Sequence, residues 1–224
     1  MDLIYTSQLK VTQQQMGSYM TLLNFRYMNL CVKAEAASMI PVNIQVFDSS
    51  KNLEDVAELA IPDDYHLAVI PKADDAESLK MIVEGIALSH PEFILNIKTI
   101  KDQNKEKRYL EYEMPPVDKN RRDFLNESVK GLHNEAKVKI DQLYTDAKVG
   151  YTKLLADKPA ELDEVNHELE KIHDEFIKDI LDSKISKLQE IEEGYRRYLA
   201  KHGEEHSFSP GSGYDVTTSM KMND

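Results

Sequence analysis

The longest regular pattern in the chain is an apolar seam in residues 125–154, and it limits the fold more than any other feature. Its intervals are 4-3-4-4-3-4-4-3 residues, an average of about 3.6, which predicts a straight helix rather than a strict heptad coiled coil. The seam consists of Leu125, Val129, Leu132, Ala136, Ile140, Leu143, Ala147, Tyr151 and Leu154.

Two further long helices are predicted. Residues 3–37 contain no proline and repeat apolar residues at helical spacing, which predicts one amphipathic helix. Asp157-Lys158-Pro159 predicts a tight connection, with the proline starting a third helix that ends at Gly203. The apolar positions of these two helices include Leu9, Met16, Met20, Leu23, Tyr27 and Leu30, then Leu162, Val165, Leu169, Ile172, Phe176 and Ile180.

The zone between the helices, residues 40–114, changes period. Short segments that alternate or are wholly apolar predict strands, and turn formers such as Pro62-Asp63-Asp64 and Asp102-Gln103-Asn104 bound them. The four predicted strands read VNIQVF, HLAVIP, FILNIKTI and RYLEYEM. Between the second and third, DDAESLKMIVEGIALSH begins with acids and stops at His90-Pro91, which predicts a helix.

This order predicts an α+β protein in which a long antiparallel three-helix bundle carries a small inserted β/α/β domain. Residues 1–39 and 115–203 would form the bundle and residues 40–114 the insert. Pro41, Pro115 and Pro116 stand where the two chain crossings are expected and would stiffen a two-stranded hinge. Residues 204–224 are rich in Ser, Gly and Pro and predict a flexible tail.

The composition restricts the partners and the compartment. Lys and Arg number 28 against 40 Asp and Glu, a formal net charge of −12, which disfavours binding to phosphates unless a local basic patch survives. The single cysteine, Cys31, fits a reducing compartment and favours a buried packing role over a nucleophile. With no signal-peptide pattern and no apolar run of about 18 residues, we expect a cytoplasmic protein with no membrane or DNA partner.

The entry into the second long helix is specific enough to compare with a known family. The segment EMPPVDKNRRDFLNESVKGLHNEAKVKIDQLYTDA resembles that entry in the ribosome recycling factor family. The resemblance rests on Pro115-Pro116, Arg121-Arg122, the Glu135–Val138 stretch and Asp146-Ala147. Upstream, VAELAIPDDYHLAVIPKADDAESLKMIVEGIALSHPEFIL looks like the family's insert, where a strand, a proline-acid turn and another strand lead into a helix. The order of elements throughout carries the comparison.

The resemblance implies an L-shaped protein with a flexible hinge. It also implies a binding protein rather than an enzyme, a monomer without a cofactor. Members of the family enter the ribosomal subunit interface after termination and help split the subunits together with elongation factor G. The bundle would lie against 23S-type ribosomal RNA, and the candidate contacts that remain in this chain are Arg121, Arg122, Lys130 and Lys137.

The departures from the family fall at its RNA contacts. After the first helix, Ala36 stands at the position of an arginine. In the second helix, Asp141, Tyr144 and Thr145 stand at the positions of three arginines that approach RNA. Arginine binds phosphate with two hydrogen bonds, whereas aspartate repels it. We therefore expect a weaker affinity for RNA with a flatter salt dependence.

Catalytic chemistry has little support. The third helix contains Glu164-x-x-His167 and Glu170-x-x-His173, the ligand unit of di-iron bundles, but those take the two pairs from different helices. Six residues separate the pairs, about 600° of rotation, so they point in different directions and a solvated charged face is the favoured interpretation. Glycine-rich phosphate loops and nucleophile motifs are absent from the sequence, and no metal is expected.

Three functions stay open at this point. The first is a recycling factor of translation, and the second is a protein of the same fold that has lost the usual RNA contacts and binds another partner. The third, a metal-dependent bundle enzyme, depends only on the two Glu-x-x-His pairs.

Overall fold

Three long helices dominate the computed structural model, which describes residues 3–46, 49–102 and 105–203. They are α1 (Leu3–Met28), α4 (Lys119–Leu154) and α5 (Pro159–His202). One apolar cluster contains the start of α1, the end of α4 and the start of α5, so α4 is antiparallel to both other helices. Its buried members are Tyr5, Leu9, Tyr151, Leu155, Val165 and Leu169. The α+β fold with a helical bundle is confirmed.

The boundaries of α4 and α5 follow local rules. The Asp118 carboxylate accepts a hydrogen bond of 2.7 Å from the backbone N–H of Arg121, which caps the start of α4. Pro159 is the first residue of α5, as predicted. Gly203 ends α5 with a φ of 81°, a left-handed conformation that favours glycine. The predicted tail, residues 204–224, lies outside the described residues.

In its described residues (40–46, 49–102 and 105–114), the insert contains six strands and two helices. The strands are β1 (Asn43–Val46), β2 (Ser49–Asn52), β3 (Ala57–Asp63), β4 (His66–Pro71), β5 (Ile94–Asp102) and β6 (Lys105–Glu113), and the helices are α2 (Leu53–Val56) and α3 (Ala76–Ser89). β3, β4, β6 and β5 form an antiparallel sheet in that order, while β1 and β2 form a separate hairpin. The Asp75 carboxylate caps α3 through the N–H of Ser78, at 2.8 Å.

The four strands predicted from the alternation are present, but the insert contains further elements that the sequence did not predict. The four strands expected from the alternation are β1, β4, β5 and β6, and β3 matches the strand implied by the family resemblance. β2 and α2 were not expected, because every residue of β2 is polar and exposed and gives no period. Pro62 lies within β3 instead of bounding it, which an edge strand tolerates because its outer N–H groups need no partner.

The predicted extent of the first helix, residues 3–37, was wrong. α1 ends at Met28, and a short 3₁₀ helix, Ala36–Met39, follows after an irregular segment. The backbone N–H of Ala34 donates to the carbonyl of Asp64 at 2.8 Å, and Cys31, Val32 and Ala34 are buried. Burial against the insert and the bundle therefore overrides the helical period of this segment.

The core of the insert extends into this same segment. Its buried residues include Cys31, Ala34 and Met39 from the outgoing crossing and Met114 from the returning one. The N–H of Met114 donates to the carbonyl of Tyr65 at 2.8 Å. Both crossings are thus packed against the sheet. A hinge at Pro41, Pro115 and Pro116 stays a prediction.

The predicted seam of α4 is confirmed except at its end. Leu125, Val129, Ala136, Ile140 and Tyr151 are buried, and Leu132, Leu143 and Ala147 are partly buried. Leu154 is 52% exposed, and the following Leu155 takes the buried place. None of the helices in the described part of the chain is long and apolar enough to cross a membrane.

A matched pair of glycine substitutions tests the packing of the crossings. A Cβ at Gly194 of α5 would lie 2.5 Å from Val32 Cγ1 and 3.1 Å from Val117 Cγ2, whereas a Cβ at Gly131 of α4 meets nothing within 4 Å. We expect Gly194→Ala to lower the free energy of unfolding by about 1–3 kcal/mol through overpacking. Gly131→Ala should raise it by about 0.5–1 kcal/mol because alanine favours helix. Urea unfolding followed by circular dichroism measures both, and equal effects would contradict the packing.

Candidate nucleic-acid interface

α4 carries more basic residues than either other helix of the bundle, although α1, with two Lys or Arg and no Asp or Glu, is also net positive. α4 carries eight Lys or Arg residues against five Asp or Glu, whereas α5 carries seven against twelve. A polyanion is attracted to local positive charge even when the whole chain is acidic. The bundle therefore presents α4, and not α5, as the surface suited to nucleic acid.

Lys130 and Lys137 lie on the solvent side of α4. Lys130 Nζ is 2.6 Å from Glu127 Oε1, and Lys137 Nζ is 2.7 Å from Asp141 Oδ2. Their side chains are 52% and 48% exposed. Exposed ion pairs of this kind contribute little to stability and exchange partners readily, so both ammonium groups are accessible to a phosphate.

Arg122 lies at the start of α4 over an aromatic ring. Its guanidinium carbon is 4.3 Å from the centre of the Tyr195 ring on α5. Its Nη2 donates to Asp123 Oδ1 at 2.9 Å. The arginine is thus held between a ring and a carboxylate, with a quarter of its side chain exposed.

Arg121 points into the junction between the bundle and the insert. Its Nη2 donates to the backbone carbonyl of Cys31 at 3.0 Å and is 3.7 Å from Glu92 Oε1. The side chain is only 14% exposed. Among the four residues that the resemblance offers as RNA contacts, Arg121 therefore has an intramolecular role, which leaves Arg122, Lys130 and Lys137 nearer to solvent.

Two of the substituted positions are engaged with α5. Asp141 Oδ1 is 2.9 Å from His173 Nε2, and the rings of Tyr144 and His173 are 4.5 Å apart. Tyr144 also packs against the apolar clusters of the bundle. Tyr144 therefore lies at the flank of the α4 seam. We refer to Asp141, Tyr144 and His173 together as the interhelix cluster.

Thr145 and Ala36 differ from that cluster. Thr145 is exposed, and its hydroxyl donates to the carbonyl of Asp141 at 2.9 Å, a bond within its own helix. Ala36 is exposed in the short 3₁₀ helix. Neither residue supplies charge, so both are open surface where the resemblance would place an arginine.

The electrostatics of Asp141 reflect two opposing effects. Partial burial alone would raise the pKa of this carboxyl, but hydrogen bonds from Lys137 and His173 favour the charged form and outweigh burial. The pKa of Asp141 therefore lies below its usual value. The carboxylate is negative at neutral pH and satisfied from both sides, by Lys137 on its own helix and by His173 on α5.

The expectation that both Glu-x-x-His pairs form a solvated face was wrong for one of them. His167 is exposed, but His173 is 19% exposed and contacts Asp141 and Tyr144. The packing of α4 on α5 explains the difference, since the side chain at 173 faces the neighbouring helix. Within the described residues, the two pairs do not converge on one metal site.

A group that the sequence interpretation missed lies at the junction. Cys31 is buried as expected, yet its Sγ is 3.7 Å from His90 Nδ1, and Glu92 is adjacent. Burial raises the pKa of Cys31 to about 11, so the thiol is protonated at neutral pH and not a nucleophile. Burial likewise lowers the pKa of His90. Cys31 and His90 are 59 positions apart in the sequence, so no local pattern shows that they are close in space.

Comparison with known proteins agrees with the fold. The family model described as Ribosome recycling factor matches residues 25–191. The chloroplastic ribosome-recycling factor of Oryza sativa subsp. indica is 28% identical over 162 residues, which are 71% of this chain and 57% of that protein. The chloroplastic factor of Spinacia oleracea is 24% identical over 184 residues, which are 80% of this chain and 64% of that protein. The match thus spans less than two thirds of either relative. A solution structure of the ribosome recycling factor, at 16% identity, shares the fold with a TM-score of 0.68 over 86% of this chain and all of that one.

Removal of the Arg121 guanidinium tests its role in the junction. We expect Arg121→Ala to lower the free energy of unfolding by about 1–3 kcal/mol, because the Cys31 carbonyl and Glu92 lose their partner. Lys130→Ala is the control on the same helix and should change it by less than about 0.5 kcal/mol, since its ion pair is exposed. Urea unfolding measures both, and a neutral Arg121→Ala would show that the guanidinium does not hold the junction.

The lowered pKa of Asp141 predicts a pH dependence of stability. A carboxyl whose pKa is lower in the folded state stabilises the fold above its unfolded pKa, here 3.8, and loses that contribution as the pH falls through the folded pKa. Wild type should have a larger free energy of unfolding than Asp141→Asn at about pH 6, and this difference should disappear towards about pH 3. It should stay below about 1 kcal/mol because the side chain is partly exposed.

The His173→Ala background provides the control for this prediction. In that background, Asp141→Asn should change the free energy of unfolding less at neutral pH, because one of the two donors to Asp141 is gone. Urea unfolding across the pH series measures all four variants. A difference between wild type and Asp141→Asn that is independent of pH would rule out the Asp141 carboxylate as its source.

Proposed function

Since the chain belongs to the ribosome recycling factor family, we propose that it binds the ribosome after termination and helps split the subunits together with elongation factor G. It would do so as a monomeric binding protein, without a cofactor and without catalysing a reaction. The proposal extends to this chain what the family resemblance implies, and it needs a surface that can approach ribosomal RNA.

The cationic surface of α4 is the observation that carries the proposal. Arg122, Lys130 and Lys137 lie along one helix, and the two lysines are about half exposed. Their present partners, Asp123, Glu127 and Asp141, are single carboxylates on the same helix, which a ribosomal phosphate can replace. RNA binding by this route is electrostatic and therefore salt-dependent.

The interhelix cluster sets the expected strength of that binding. A carboxylate and a phenol stand at two positions where the resemblance implies arginines, and both contact His173 of α5. Each missing phosphate contact reduces the slope of log affinity against log salt by about one. We infer an affinity for ribosomes that is lower and less salt-sensitive than that of a protein with all the arginines.

The same cluster supports a second candidate function. A protein of this fold whose α4 surface is tied to α5 at Asp141 and Tyr144 would bind a partner other than the usual RNA site. Complementation separates the two candidates. Full rescue of a strain that lacks its recycling factor would rule out the second one, and failure of rescue despite ribosome binding would favour it.

The location follows from the ribosomes that the chain would serve. The cytoplasm is the expectation from the sequence, whereas the curated relatives are named as chloroplast proteins. We propose a compartment with its own translating ribosomes, and an organelle satisfies this as well as the cytoplasm. DNA and membranes remain outside the proposed partners.

Co-sedimentation with ribosomes over a salt series tests the proposal, and a pair of arginine substitutions locates the surface. Thr145 of α4 and Thr21 of α1 are both exposed, and each hydroxyl donates to the carbonyl four residues earlier. We expect wild type to bind at low salt. Thr145→Arg should bind more tightly, with the salt slope steeper by about one.

Thr21→Arg is the matched control, because it adds the same charge at an equivalent site on another helix. Its affinity for ribosomes should rise little above that of wild type. Equal gains in the two variants would show that α4 is not the RNA-facing helix. No binding of wild type at the lowest salt would overturn the proposed function.

A further inference from the structure

Three potential metal ligands meet where the insert joins the bundle. Cys31 follows α1, His90 follows the last residue of α3, and Glu92 lies two residues further on. Cys31 Sγ is 3.7 Å from His90 Nδ1, and His90 Nδ1 is 3.9 Å from Glu92 Oε1. One donor atom from each lies within 4.8 Å of the others. Cys31 and His90 are buried, and Glu92 is 30% exposed.

The orientation of His90 suits a ligand. Its Nε2 is 3.0 Å from the backbone carbonyl of Ser38, which can only accept, so Nε2 carries the proton and donates. Nδ1 is then unprotonated and directs its lone pair towards the Cys31 sulfur. Metal-binding histidines are typically held in this way, with the second ring nitrogen donating to a carbonyl. Phe93 stacks on the imidazole at 4.7 Å and fixes its plane.

The separations fit a small tetrahedral ion. With Zn–S of about 2.3 Å and Zn–N and Zn–O of about 2.1 Å, tetrahedral angles place sulfur and nitrogen about 3.6 Å apart, and nitrogen and oxygen about 3.4 Å apart. The 3.7 Å separation already meets the first value, and the 3.9 Å separation requires a shift of about half an ångström in the partly exposed Glu92 side chain. The same side chain must also bring its oxygen to about 3.6 Å from the Cys31 sulfur, from a separation within 4.8 Å. We propose that Cys31, His90 and Glu92 form a Zn(II) site at the junction.

The surroundings provide access and support. An open pocket of about 380 Å³ reaches Cys31 between α1 and α5, and Asn24, Ser183 and Lys187 are among its lining residues. Water from this pocket would fill the fourth position of a three-ligand zinc site. Arg121 Nη2 lies 3.7 Å from Glu92 Oε1 and would orient the carboxylate towards the ion.

The charges balance on binding. The Cys31 thiol loses its proton to solvent, and the thiolate and the Glu92 carboxylate together supply two negative charges to the ion, while Arg121 keeps its hydrogen bond to the Cys31 carbonyl. Soft thiolate with imidazole and carboxylate is a donor set that selects zinc or similar transition metals over magnesium and calcium. The bound ion would link the segment after α1 to the end of α3, and so the bundle to the insert. The inference does not depend on ribosome binding.

Cobalt titration tests the site, because Cys31 is the single cysteine of the chain. A thiolate-to-cobalt charge-transfer absorption can therefore come only from Cys31. We expect purified full-length protein to bind one Co(II) with this absorption and with tetrahedral visible bands, and Zn(II) to displace it. Glu92→Gln keeps the side-chain volume and should weaken Co(II) binding at least about tenfold, the lower end of what loss of an outer-shell partner does.

Two further variants keep the outcome unambiguous. Cys31→Ala should abolish the charge-transfer absorption, and circular dichroism confirms that each variant is folded. Glu170→Gln, an exposed carboxylate three residues before His173, is the matched control and should bind like wild type. Absence of thiolate absorption in wild type, or equal affinity of Glu92→Gln and Glu170→Gln, would overturn the proposal.

Discussion

The chain can carry an inserted domain only because it leaves and re-enters the bundle at one place, and the Arg121 guanidinium connects the parts that meet there. It joins α4 to the carbonyl of Cys31 on the outgoing segment and to Glu92 of the insert. A largely buried cation of this kind is tolerated when hydrogen bonds and a counter-ion compensate for lost hydration. Gly194 completes the junction from α5, since the absence of a side chain there admits Val32 and Val117.

The surface chemistry of the bundle follows from how α4 and α5 share their charges. Asp141 stands between Lys137 and His173, so its negative charge is used within the molecule rather than presented to a partner. An arginine at 141 would face the imidazole of His173 and would have to turn towards solvent. The aspartate and the histidine are therefore best understood as one paired feature across two helices. Their pairing makes this stretch of α4 less cationic than the rest of the helix.

The sequence predicted those parts of the fold that local patterns determine. α3, α4 and α5 were predicted because their apolar periods, caps and prolines agree with one another. The end of α1 was missed because the segment after Met28 is shaped by contacts with the insert, such as the bond from Ala34 to Asp64. β2 was missed because its polar residues give no alternation. In these cases tertiary contacts decide what the local pattern leaves open.

The candidate sites likewise contain residues that the local pattern places and residues that only tertiary contacts place. Lys130 and Lys137 could be placed on the outside of α4 from the helical period alone. The partner of Asp141 could not be found, because His173 lies 32 residues away on another helix, and neither could the neighbours of Cys31.

The α4 surface and the junction between bundle and insert are separate regions with different physical roles. On the proposed function, the α4 surface would attract the partner, through charge that acts over several ångströms of water. The junction determines how the insert is held, through the buried contacts of Arg121, Cys31 and His90. Arg122 lies next to both, since it follows Arg121 in the first turn of α4 and its guanidinium lies over the ring of Tyr195 of α5. The cation–π contact of Arg122 on α5 therefore lies one residue from the contacts by which Arg121 holds the insert.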